Sequence, residues 1–189
     1  MSAEIYTLFA NELLKWNSSI NLVQENTIPA IYERHILDSL QLKTYVDYEK
    51  DVIVDIGSGA GFPGMILAID GARHVHLVEP TNKKTVFLNH IKNLYKLPIT
   101  VHTSRWQDVK IQNATVVTSR AFASLTNLLD AMTNVSRETP NARGLFLKGE
   151  KAKEEIAEAK QIWNFESELF QSATHETGCI IKVWNVNKK

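Results

Sequence analysis

The sequence predicts an α/β fold: a mostly parallel seven-stranded sheet covered by helices on both faces, with a C-terminal antiparallel hairpin and an N-terminal helical extension. Three observations predict it. From Asp51 onward, short apolar runs alternate with helix-like stretches, the pattern of strands in a parallel sheet buried on both sides. The run Val52-Ile53-Val54 leads straight into Asp55-Ile-Gly-Ser-Gly-Ala-Gly-Phe-Pro-Gly, a strand that ends in a glycine turn and opens a helix. After Lys160 the alternation stops, and two strand-like runs are joined through Gly178.

Along the chain, Ile5, Leu8, Phe9, Leu13 and Trp16 recur at helical spacing and predict an amphipathic helix ending near Trp16-Asn17. A second helix is expected over Ile28 to Tyr45, with Pro29 in its first turn, where a missing N–H does little harm. Ile31, His35, Asp38 and Leu42 then share one face, and a core His35 satisfied by Asp38 is preferred to a catalytic histidine. An Arg34–Asp38 ion pair one turn apart is a further expectation. These elements form an extension over residues 1–47 of a single domain, 1–189, whose core is 51–189.

Within that core, strands are expected at Val52 to Ile56, His74 to Val78, Ile99 to Thr103, Thr115 to Ser119 and Gly144 to Leu147. Helices are expected at Pro63 to Ile69, at Thr81 to Tyr95 with a cap at Thr81 or Asn82, and at Phe122 to Val135. Glu150 to Lys160, rich in Ala, Glu and Lys, reads as an exposed helix. Phe165 to Phe170 and Cys179 to Val186 make the hairpin.

Composition narrows the function classes. The 189 residues are 44% hydrophobic and 22% charged, enough for a full core. No apolar run is long enough to cross a bilayer, and Met1-Ser2-Ala3-Glu4 lacks the pattern of a leader, so a cytoplasmic protein without a membrane partner is expected. Cys179 is the only cysteine, which excludes intrachain disulfides and cysteine-rich zinc sites, and no metal is expected. Lys plus Arg equal Asp plus Glu at 21 each, so any attraction for nucleic acid must be local. Lys83-Lys84, then His90, Lys92 and Lys96, and later Arg143, Lys148, Lys151 and Lys153 form local basic clusters that read first as ordinary solvated helix faces.

The glycine turn sets the ligand class. Gly57, Gly59 and Gly61 allow backbone angles that a Cβ forbids, and a turn opening a helix is expected to aim free N–H groups at a polar ligand. Glu79 follows the second strand, twenty-four residues after Asp55, near the spacing at which an acid meets a ribose hydroxyl pair. A dinucleotide enzyme would continue the alternation into a second half, whereas the hairpin suits S-adenosylmethionine and a Rossmann-like class I methyltransferase. Ser104-Arg105-Trp106-Gln107-Asp108 then falls where such enzymes bind adenine.

Several ordered motifs carry a more specific resemblance. They are Leu14-Lys15-Trp16-Asn17 with Asn21-Leu22, Arg34-His35-Ile36-Leu37-Asp38-Ser39, Asp55 to Gly64, Lys83-Lys84 with Phe87-Leu88, Ser104-Arg105, Ser119-Arg120-Ala121 and Leu147-Lys148-Gly149. With these the chain resembles the bacterial RsmG (glucose-inhibited division protein B) family of 16S rRNA guanine-N7 methyltransferases. The resemblance implies methylation of N7 of guanosine 527 in 16S rRNA of the small ribosomal subunit by a monomeric enzyme. It implies cofactor contacts at Gly57, Ser58, Gly59, Gly61, Phe62, Glu79, Trp106, Gln107 and Arg120, with Phe62 covering the cofactor. RNA contacts fall to Arg34, His35, Arg105 and Lys148. The family commonly has Glu where Gln107 stands, and the amide keeps an acceptor for the adenine amino group without the charge.

Guanine N7 carries a lone pair and no proton, so no catalytic base is expected. Thr118-Ser119-Arg120-Ala121 stands where amino-group methyltransferases carry Asn/Asp-Pro-Pro-aromatic, and Cys179 lies far along the chain from that place. The alternative reading is a Rossmann-like methyltransferase of a small molecule or protein, which the zero net charge favours.

Overall fold

The computed structural model describes residues 3–189; Met1 and Ser2, part of the stretch read as lacking a leader, lie outside the described residues. Helix α1 (Ala3–Asn17) opens the described chain. It is followed by an irregular helical segment that includes the α-helical turn α2 (Asp38–Leu40). The core then runs β1 (Val52–Ile56), α3 (Gly64–Asp70), β2 (His74–Val78), α4 (Asn82–Tyr95), β3 (Ile99–His102) and β4 (Val116–Arg120). It continues with α5 (Leu125–Val135), β5 (Arg143–Lys148), α6 (Ala152–Ile162), β6 (Trp163–Gln171) and β7 (Cys179–Lys188).

The seven strands lie in the order β3-β2-β1-β4-β5-β7-β6. β1 pairs parallel with β2 and β4, β2 with β3, and β4 with β5, while β7 is antiparallel to both β5 and β6. The strand order therefore reverses between β1 and β4, and in such sheets ligands bind at the carboxyl ends beside that switch. Side chains alternate between two cores. Ile53, Leu77, Val116 and Leu145 meet α1, α3 and α4 through Phe9, Leu13, Met65, Phe87 and Leu88. Val54, Ile56, Val117 and Phe146 meet α5 and α6 through Leu128, Leu129 and Ala159. Both faces are buried, which is why the strands read as continuous apolar runs. Cys179 is a buried β7 residue, as expected.

Two expectations need correction. The single helix expected over residues 28–45 is a 3-10 turn (Glu25–Ala30), a π-helical turn (Tyr32–Leu37), α2 and a second 3-10 turn (Gln41–Tyr45). Long-range bonds explain the irregularity: His35 and Asp38 bond to Arg120, and Gln41 to Ser172, against local helix propensity. Helix α5 begins at Leu125 and not at Phe122, because Ala121 has a positive φ of 51° and Ser124 caps the helix, accepting from Asn127 N. Thr81 holds the cap position of α4, as expected, without a side-chain cap bond; its N–H donates to Glu79 Oε1. Among the described residues no helix is long and apolar enough to cross a membrane.

Candidate functional site

The turn after β1 satisfies its own backbone. Gly57 N and Ser58 N donate to Val78 O, Gly61 N and Phe62 N donate to Ser58 O, and Gly59 N donates to Glu79 Oε2 at 3.0 Å. The free N–H groups expected there are thus engaged in shaping the turn. Gly57 (φ 68°) and Gly61 (φ 97°) show why it needs glycine: a Cβ at Gly57 would collide with the Phe122 ring, and one at Gly61 would lie 2.6 Å from Met65 Cβ. Glu79 is buried at the end of β2, its second oxygen accepting from Thr81 N at 2.9 Å. Ser58 is buried too, its hydroxyl donating to Asp55 O.

Below the turn, Asp55 is fully enclosed. It accepts from Gly64 N at 3.1 Å and Thr118 Oγ1 at 2.9 Å. Burial outweighs these bonds and pushes its pKa up to about 7.

Beside the turn, Phe62, His35 and Arg120 stack. The His35 and Phe62 ring centroids are 5.0 Å apart at 23°, and the Arg120 guanidinium lies 4.6 Å from the Phe62 centroid. Arg120 Nη2 donates to His35 Nδ1 at 2.7 Å, and Nη1 to Arg34 O at 2.9 Å and Asp38 Oδ2 at 3.4 Å. A guanidinium only donates, so Nδ1 accepts and the His35 proton sits on Nε2, which donates to Thr27 Oγ1 at 2.9 Å. Burial first, then the charges of Arg120 and Arg34, lowers the His35 pKa to about 4 and keeps the ring neutral.

This network replaces both pairings expected for the helix face. His35 is satisfied by Thr27 and Arg120, not by Asp38. Asp38 takes Arg120, Gln41 Nε2 at 2.8 Å and Thr174 Oγ1 at 2.8 Å, while Arg34 is exposed and forms no ion pair among the described residues. Phe62 packs against the helical extension and lines neither of the two openings described below. It is 4% exposed, and Phe9 meets it edge-on, because the helical extension offers it apolar and stacking partners.

Two openings flank the switch point. The first, about 270 Å³, is lined by Ile56, Gly57, Val78, Pro80, Arg105, Trp106, Gln107 and Phe122, so it gathers the glycine turn and the expected adenine segment. Asn134 of α5 fixes that segment, donating to the carbonyls of Trp106 and Val109 at 2.8 and 3.2 Å. The second, about 440 Å³, is lined by Arg34, Asp38, Arg120, Lys148 and Glu155 and by the β6–β7 loop. Lys148 is not a free cation there: its ammonium pairs with Glu155 at 2.7 Å and donates to Ala123 O at 2.8 Å. Sequence reasoning missed Phe122, Asn134 and Glu155. Of these only Phe122 had a usable signal, an aromatic two residues beyond Arg120 at the end of β4. Among the described residues no cluster of side chains suits a metal ion.

Comparison with known proteins agrees with this layout. The family model described as "rRNA small subunit methyltransferase G" (GidB) matches residues 2–179. The chain is 41% identical over 181 residues to the Ribosomal RNA small subunit methyltransferase G of Rickettsia felis, covering 96% of this chain and 92% of that protein. It is 40% identical over 182 residues to the protein of the same name from Rickettsia prowazekii, covering 96% and 93%. The crystal structure of a SAM dependent methyltransferase from Aquifex aeolicus shares the fold, with a TM-score of 0.61 at 13% identity over 82% of this chain and 92% of that chain. On these matches, this chain belongs to the GidB family of small-subunit rRNA methyltransferases.

Proposed function

We propose that this chain transfers a methyl group from S-adenosylmethionine to N7 of guanosine 527 in 16S rRNA, acting on the small ribosomal subunit. In this reading it works in the cytoplasm as a monomer with a single domain over 1–189. Phe9 and Leu13 of α1 share a core with Ile53 of β1, which supports one domain over a separable extension.

The observation that carries the proposal is the meeting of the two openings at Arg120-Ala121-Phe122, beside the switch point, where the titratable groups touching Arg120, His35 and Asp38, are already engaged. His35 is neutral with both ring nitrogens occupied, and the Asp55 carboxyl is sealed from solvent. A base is what exocyclic amino groups and hydroxyls require and guanine N7 does not.

The residues fit the cofactor. The smaller cleft, about 270 Å³, offers Ile56, Val78, Pro80, Trp106 and Phe122 to the faces of an adenine ring and Gln107 to its edge, and it sits just under the usual range of about 300–1,000 Å³ for ligand pockets. Phe122 occupies part of that space. Gly57, Ser58, Gly59 and Gly61 would flank the methionine part, Trp106 and Gln107 the adenine, and each Glu79 oxygen, accepting one N–H, keeps a lone pair for a ribose hydroxyl. Arg120 would meet the cofactor carboxylate or an RNA phosphate with the N–H groups that its protein partners leave over. Arg34, Arg105 and, through the groove it lines, Lys148 would face RNA.

The bound cofactor would supply a sulfonium-activated methyl group. N7 would gain the N–C bond as the S–C bond gave up its electron pair to sulfur, and positive charge would pass to the guanine ring. The protein holds the reactants in line and excludes water.

The test is to incubate the protein with methyl-labelled S-adenosylmethionine and small subunits lacking the modification, then map the label. Label at guanine N7 of position 527 is expected; label elsewhere or none overturns the proposal. Calorimetry with S-adenosylmethionine and NAD tests the cofactor separately.

A further inference from the structure

The chain carries an exposed aromatic ring at the one place where cofactor and base must meet. Phe122 is 41% exposed, although large apolar side chains around it in α5, such as Leu125 and Leu128, are buried. Its ring packs directly on the Gly57 backbone, and it lines the 270 Å³ cleft with Arg105, Trp106 and Gln107. Its neighbours Arg120 and Ala121 line the 440 Å³ groove on the other side. The segment Arg120-Ala121-Phe122 is therefore the partition between the two openings. Ala121 holds a positive φ of 51°, a conformation that a non-glycine residue seldom adopts, at the bend between Arg120 and Phe122.

Packing does not account for Phe122. An aromatic side chain left two-fifths in water forgoes much of the burial that normally places it, and this one shields a turn whose backbone bonds are already made. A purine that enters the groove to meet a methyl donor in the cleft must present one face to this partition. Aromatic rings hold unpaired bases by stacking and need no hydrogen bond from them.

We propose that Phe122 is the stacking platform for the target guanine. In the ligand-free protein its ring rests on Gly57, over the place a cofactor would pass. When the cleft fills, the ring is lifted from Gly57 and offers a face to the guanine, so that cofactor entry prepares the base site. The proposal rests on the methyltransferase reading given above and deepens it.

The test compares Phe122→Leu, Phe122→Ala and Phe122→Trp with the unaltered protein. Methyl transfer to small subunits and S-adenosylmethionine affinity by calorimetry are both measured. Leu keeps apolar bulk and Trp keeps an aromatic face. A loss of about 10- to 100-fold in kcat/KM for RNA is expected for Leu and Ala, with Trp retaining most activity, the size of one base–aromatic stack. S-adenosylmethionine affinity is expected to stay the same or to tighten in Ala, because the resting ring no longer has to be displaced. If Leu matches Trp, the side chain is packing and the proposal falls. It falls equally if Ala weakens cofactor binding tenfold or more while kcat at saturating cofactor is unchanged, since the ring would then be a cofactor contact. Failure of the unaltered protein to transfer a methyl group to the subunit would overturn the enzymatic reading itself, whereas transfer by it with Leu at full activity overturns this inference alone.

Discussion

Asp51 and Asp55 stand four residues apart near opposite ends of β1, and their surroundings treat the same carboxyl group in opposite ways. At the amino edge, Asp51 pairs with Arg143 at 2.6 Å and accepts from Asp47 N at 2.7 Å and Thr115 Oγ1 at 2.8 Å. Burial opposes its charge, but the Arg143 bonds and the two neutral donors outweigh burial and lower its pKa. At the carboxyl edge, Asp55 has only neutral donors, and burial dominates. The nearby cation, Arg120, is committed to His35, Arg34 O and Asp38. One edge is closed by a carboxylate–arginine pair, while at the other the arginine is held by neighbours of the helical segment and lines the 440 Å³ groove.

The sharpest way to break that contrast is Arg120→Ala. Activity on small subunits is expected to fall about 1,000-fold, equivalent to about 4 kcal/mol, while the melting temperature drops only a few degrees because Asp38 keeps Gln41 and Thr174. Near-normal kcat/KM would mean that the carboxyl edge is as structural as the amino edge. Asp51→Asn should do the reverse: a loss of about 3 kcal/mol in urea unfolding, from stranding the partly buried Arg143, with kcat unchanged. The stability that Asp51 contributes is present above the unfolded aspartate pKa and is lost as pH falls through its lower folded value.

Asp55→Asn probes the opposite sign. The folded pKa of Asp55 is raised, so its contribution is full below about pH 4 and is lost as pH rises toward about 7. Between pH 5 and pH 7 the wild-type stability should therefore decline relative to the Asn variant by about 2 kcal/mol. Parallel unfolding curves over that window would show that Asp55 is ionised throughout. A smaller effect is expected for Glu79→Gln, about tenfold weaker S-adenosylmethionine binding by calorimetry, or about 1.4 kcal/mol. One of the two N–H groups that Glu79 accepts loses its partner in that variant.

The contrast between the edges also marks where sequence reading succeeds. The parallel sheet was legible because each strand is a local apolar run, and the hairpin because Gly178 separates two such runs. The turn at Gly57 to Gly61 was legible because glycine at positive φ is a local requirement. The segment Ile28 to Tyr45 was not, because its conformation is set by Arg120 and Ser172, residues more than eighty positions away. The partners of Phe62 and Lys148 were not legible, because Phe9, His35 and Glu155 come to them from distant elements. Phe122 was read as the first residue of a helix, because nothing local announces the positive φ at Ala121 that holds it out of α5.

Arg34 gives the finest division between the two edges. Its carbonyl accepts from Arg120, so its backbone belongs to the network, while its side chain is exposed at the groove and forms no ion pair among the described residues. Arg34→Ala removes the second without the first. Stability should stay within about 0.5 kcal/mol of wild type, and kcat should hold because Arg120 keeps its carbonyl partner. What should change is RNA binding: affinity falls a few-fold, and the plot of log affinity against log salt becomes shallower by about one phosphate contact. An unchanged salt slope would place the Arg34 side chain outside the RNA path. A stability loss like that of Asp51→Asn would mean that the charge serves the fold, and the separation of roles along β1 would not extend to this corner of the groove.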